Sequence, residues 1–131
     1  MENIAPQFIR DRGTPWGRPD EVSKVADGIY WISTPSHGGF YVDEARYHAM
    51  PSQLKQCSLT KDRFFEEDCA WCAVALAFPD AMTGGFEDKE LAQATYNFWY
   101  RAKFGPLPLE QPTDAQRAVP AKKPIGAGLG L

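Results

Sequence analysis

From Cys69 to Phe78 the chain reads CAWCAVALAF, a run in which every residue is apolar or small, and Pro79 closes it. A helix lying on a protein surface shows polar residues every few positions. This run therefore predicts a helix buried on most sides, and it falls well short of the ~20 residues needed to cross a bilayer. The rest of the chain has to be arranged around it. Its start is placed at about Phe64, so that Glu66, Glu67 and Asp68 occupy the first turns, where the positive end of the helix dipole favours carboxylates. Asp68 and Trp71 then mark the helix N-terminus.

Upstream, EVSKVA (residues 21–26) alternates modestly, and Asp27-Gly28 suits a tight hairpin turn. Ile29–Ser33 (IYWIS) is β-branched and aromatic throughout and predicts the best strand in the chain. Pro35 to Gly39 breaks it, and Gly39–Val42 resumes as a third strand of an antiparallel meander. Asp43–Met50 has an acidic first turn and predicts a short helix ended by Pro51, with a polar loop or frayed helix over 52–61. A second helix is predicted over Glu87–Lys103. Leu91, Thr95, Phe98 and Ala102 line one face, Tyr96, Trp99 and Tyr100 widen it, and Gly105-Pro106 stops it. The fold class is therefore α+β: a short antiparallel β-meander packed on a buried central helix and a second C-terminal helix. One domain is expected over 21–105. It is preceded by an arm (1–20) pinned by Trp16 and followed by a Pro/Gly-rich tail (106–131), extended or disordered.

Composition excludes several classes. At 131 residues the chain has material for one core, and its formal charge of −3 gives no electrostatic footprint for binding nucleic acid directly. No apolar stretch approaches a membrane span, and the first residues contain no apolar signal region, so a cytoplasmic location in a bacterial host cell is expected. Three cysteines, an odd count, read as free thiols.

Two constellations could carry chemistry. In Ser33-Thr34-Pro35-Ser36-His37-Gly38-Gly39, hydroxyls and an imidazole gather at a strand end, and the glycines permit close backbone approach. Such a turn could bind an oxyanion or hold His37 as a base beside Ser36; equally, Ser and His could cap their own backbone. In Glu66-Glu67-Asp68-Cys69, a thiol near a helix start gains acidity, yet three neighbouring carboxylates oppose a thiolate. Cys69 and Cys72 have CxxC spacing, but Trp71 lies inside the pair. A zinc site would have to add Cys57 and His37 or His48, so neither metal nor cofactor is expected. If the meander packs on the helix, His37 could meet Glu66, Glu67 or Asp68. That gives a candidate catalytic set of His37, Glu66, Glu67 and Cys69, or a buried structural link. Tyr96, Trp99 and Tyr100 with Arg101 and Lys103 offer a candidate partner-binding face, against core packing as the alternative.

The run WGRPDEVSKVADGIYWISTPSHGGFYVDEAR, then Pro51, then FFEEDCAWCAVALAFPDA, resembles an uncharacterised domain family of proteobacteria found on chromosomes, plasmids and phages. The resemblance rests on Trp16, Gly17, Gly28, Ile29, Ser33, Thr34, His37, Gly38, Gly39, Arg46, Pro51, Glu66, Glu67, Asp68, Cys69, Trp71, Phe78 and Pro79. It makes Cys69 part of the pattern and leaves Cys57 and Cys72 outside it. Its mobile-element setting implies a small anti-defence protein, an anti-CRISPR or anti-restriction inhibitor that contacts a host defence complex directly. The alternatives are a small hydrolase or transferase using His37 with a carboxylate from Glu66–Asp68, and a non-catalytic structural accessory domain. On balance the residues lean away from an enzyme.

Overall fold

The computed structural model describes Ile9, residues 13–58 and residues 62–108. The expected arm before Ile9 and the tail beyond residue 108 lie outside the described residues. Four strands, β1 (Glu21–Ala26), β2 (Ile29–Ser33), β3 (Gly38–Val42) and β4 (Phe64–Glu66), form one antiparallel sheet in the order β1-β2-β3-β4. Helices α1 (Glu44–Ala49) and α2 (Ser52–Lys55) follow β3; α3 (Trp71–Ala77), α4 (Lys89–Trp99) and α5 (Arg101–Phe104) follow β4. The architecture is the expected α+β arrangement of an antiparallel sheet with helices packed against it.

The hairpin between β1 and β2 turns at Gly28, whose φ of 80° is open to glycine. Asp43 caps α1 by accepting from Arg46 N, and its own N–H bonds Gly28 O at 2.8 Å, which ties that helix to the hairpin. The unbroken apolar character of β2 and β3 has a direct cause, because both faces of the sheet are covered. Ile29, Phe40, Val42 and Phe65 join α3 in the main core, while Ile32, Tyr41 and Phe64 form a smaller cluster with Ile9 and Trp16. Side chains alternate across a strand, so a sheet wrapped on two sides needs apolar residues at consecutive positions. Within the main core Phe86 packs its ring against Trp31, Phe40 and Trp71, with centroids 4.8–5.6 Å apart.

The central helix is buried as expected: Trp71 to Leu76 are all inside. Its start is a correction. Phe64–Glu66 is a fourth strand paired to β3, with Phe65 opposite Phe40, and the helix begins only at Trp71. Two adjacent aromatics beside an open strand edge gain more as sheet than as a first helical turn. Asp68 therefore belongs to the turn before the helix, while Trp71 does open it.

The second helix is shorter than expected and rotated. Ala92 and Tyr96 are its buried residues; Leu91, Phe98 and Trp99 are exposed. The Leu91–Thr95–Phe98–Ala102 face thus points away from the core, because it is Tyr96 that fills the space over α3 and donates its hydroxyl to Gly105 O at 2.6 Å.

Gly39 is where the layers meet most closely. A Cβ there would collide with Phe65 O, would stand 2.6 Å from the Trp16 ring and 2.8 Å from Glu66 Cα. Two of these obstacles are backbone, which cannot swing aside. Gly39→Ala should lower stability by about 1–3 kcal/mol or more, read as the urea midpoint; an unchanged midpoint would contradict this packing.

Candidate functional site

Between β4 and α3 the chain turns through residues 67–70, leaving several backbone N–H groups without helical partners. Glu66, the last residue of β4, supplies what they lack. Its carboxylate accepts from Asp68 N at 2.7 Å, and from Cys69 N and Ala70 N at 3.0 Å each. The Cys69 thiol donates to the same Oε1 at 3.0 Å, and the Tyr100 hydroxyl donates to Cys69 Sγ at 3.1 Å. A chain of polar groups thus runs from the sheet through the helix start to the end of α4.

The electrostatics follow from these contacts. Burial works to raise the Glu66 carboxyl, but the bonds from the Cys69 thiol and from the backbone of Ala70, Asp68 and Cys69 outweigh it and hold the group below its ordinary value. The Cys69 thiol is pushed up, first by burial and then by Glu66 and Asp68, with the Tyr100 bond opposing. Burial drives Cys57 up to about 12 and raises Cys72 as well. The proton between Cys69 and Glu66 therefore stays on sulfur. A base with a depressed pKa beside a thiol with a raised one is not an activated nucleophile.

The STPSHGG turn is closed by Thr34. Its hydroxyl donates to His37 O at 2.6 Å and accepts from His37 N, and its own N–H bonds His37 O at 2.8 Å. The turn serves its own backbone, though through Thr34 rather than through the expected Ser and His side chains. Ser36 and the His37 imidazole are left facing outward, and Ser33 is half-buried at the end of β2. Gly38 is needed because a Cβ would stand 2.7 Å from Ile32 O. Gly38 O accepts from Glu67 N at 2.9 Å, which fastens the turn to the strand–helix junction.

The two sequence constellations meet at one cleft of about 680 Å³. His37, Glu66, Asp68 and Cys69 line it, joined by Trp99 and Tyr100 from the α4 end. Glu67 is not among its lining residues. Tyr96, expected on a partner face, is fully buried, whereas Trp99 is 58% exposed at the cleft's edge. Arg101 is half-buried, bonding Asn97 Oδ1 at 3.3 Å. Lys103, expected on the partner face, also lines the cleft, as does Trp16, which was not legible as a site residue. Nor was the pairing of Tyr100 with Cys69, since no local pattern links positions 31 apart. Among the described residues no His, Cys, Asp or Glu group is arranged to hold a metal ion, and no helix is long and apolar enough to cross a membrane.

Glu66→Gln should cost about 1–3 kcal/mol at neutral pH, because the amide replaces a charged acceptor and brings two donors into a site that offers donors only. The folded pKa of Glu66 lies below its unfolded value, so its contribution is complete above the ordinary 4.5 and is lost as pH falls through the depressed value. The urea midpoint of the parent should therefore drop more steeply than that of Glu66→Gln on acidification below about pH 5. Iodoacetamide at pH 7 should label Cys69 far more slowly than a free cysteine, and Tyr100→Phe should slow it further by removing the bond that favours the thiolate. Peptide mass spectrometry reads both, and faster labelling in Tyr100→Phe would contradict the assignment of donor and acceptor.

Comparison with protein families matches residues 10–121 to a domain of unknown function, DUF7007. No curated protein and no solved structure matches the chain. The matched segment takes in the sheet, the Glu66–Cys69 junction and the whole cleft, and on that span the chain belongs to the DUF7007 family.

Proposed function

We propose that this domain works by binding a protein at the cleft, and that it is an anti-defence inhibitor whose partner is a host restriction or CRISPR complex. The observation that carries the binding reading is the state of Cys69. The Cys69 sulfur in the cleft is held as a thiol, donating to a carboxylate already committed to three backbone N–H groups. The residues around it are suited to contact: Trp99 is largely exposed, Lys103 and His37 are exposed, and Trp16 is half-buried. Aromatic side chains at a concave rim bury large area on docking at little entropic cost. The choice of a defence complex rests on the mobile-element resemblance of the STPSHGG and EEDC segments.

Cells carrying an active restriction or CRISPR system and expressing this chain should lose protection against phage. Trp99→Ala combined with His37→Ala should restore that protection while leaving the thermal midpoint nearly unchanged. If the parent chain affects no such system, or the double variant inhibits as well as the parent, the reading fails. One observation favours the enzymatic alternative: His37, Glu66 and Asp68 line the same cleft. A turnover abolished by His37→Ala alone, with folding intact, would replace binding by catalysis.

A further inference from the structure

Helix α4 carries two apolar faces, and the fold uses one. Ala92 and Tyr96 are buried against the core. On the opposite side Leu91 is 52% and Phe98 78% exposed, with Ala94 exposed between them. Thr95 ties its hydroxyl back to Leu91 O at 2.7 Å. Leu91, Thr95 and Phe98 follow i, i+4, i+7 spacing, a stripe along α4 at helical period, while Ala102 lies beyond the break at Tyr100, in α5. The Phe98 and Trp99 rings pack edge-on at 5.0 Å. Large apolar side chains aligned in this way mark a contact surface.

We infer that this stripe pairs with a second copy of the same chain, helix against antiparallel helix about a two-fold axis near Ala94 and Thr95. Leu91 and Phe98 stand symmetrically on either side of the Ala94–Thr95 midpoint, so each Leu91 meets the Phe98 of the other copy. The small residues at the centre let the two helices approach closely. Charge selects the antiparallel orientation. Glu87, Asp88 and Glu90 make the N-terminal end net negative despite Lys89, while Arg101 and Lys103 make the C-terminal end positive. At 100° per residue Glu90, Ala94 and Asn97 run along one flank of the stripe. The bond from Arg101 to Asn97 places Arg101 on that flank. A two-fold axis brings like flanks together, so Arg101 of each copy faces Glu90 of the other. The cleft opens on the other flank, beside Trp99, and stays accessible in the pair. This inference is independent of the binding role proposed for the cleft.

Sedimentation equilibrium on the full chain should show mass rising with concentration from 14.6 kDa towards twice that value. Phe98→Glu should give a monomer with an unchanged thermal midpoint. Arg101→Glu should weaken the pair about tenfold, since the reversed charge acts twice across the axis; adding Glu90→Arg should restore most of the loss. Ala94→Cys should form a disulfide-linked dimer under mild oxidation, and Asp80→Cys, on a distant turn, should not. A chain that stays monomeric into the hundred-micromolar range overturns the inference. So does a dimer that survives Phe98→Glu, or equal cross-linking from positions 94 and 80. A monomer destabilised by Phe98→Glu also overturns it, because the stripe would then be covered within the chain.

Discussion

The Glu66 carboxylate is the group on which the rest of the structure depends. It ends the last strand of the sheet and satisfies the backbone donors that precede the buried helix, so the sheet and α3 are joined through one side chain. An apolar helix start offers no side-chain caps of its own, and α3 has none. Orphaned N–H groups at the edge of a core cost roughly as much as a lost hydrogen bond each. By also accepting from Cys69, Glu66 fixes the thiol that Tyr100 then meets, and the end of α4 is held in turn. Three layers share one polar thread.

The same arrangement explains why the Cys69 thiol keeps its proton at a helix start. Glu66 is ionised because donors surround it, and burial together with that ionised carboxylate keeps the Cys69 proton on sulfur. Capping the helix and activating the thiol are opposed demands on one carboxylate, and the geometry serves the first. Gly38 and Gly39 complete the junction by letting the turn, β4 and the Trp16 ring come within contact of one another. Trp16, Gly38, Gly39 and Glu66 thus close this junction, and the cleft is the space left beside it.

Much of the fold is legible from side-chain period alone. The IYWIS and GFYV strands, the Asp27-Gly28 turn, the Asp43-capped helix and the buried CAVALA run all form where local propensity and pattern agree. Two features are not legible, for different reasons. Phe64–Glu66 is a strand because β3 offers it an edge, and the acidic residues after it look like a helix start when that edge is out of view. Helix α4 has apolar residues on two sides, and periodicity cannot say which side the core takes.

For the site, the sequence determined which groups would be near one another along the chain: a glycine-rich turn bearing His37, and a carboxylate beside a cysteine. It also determined the sign of the charge balance at Cys69, because neighbouring carboxylates oppose a thiolate in any fold. Tertiary structure decided the rest. It brought Tyr100 to Cys69 across 31 positions, buried Tyr96 while leaving Phe98 and Trp99 outside, and committed Glu66 to the backbone. Local propensity is written in a few adjacent residues, whereas the choice of face and of long-range partner depends on which packing fills the space over α3 without voids.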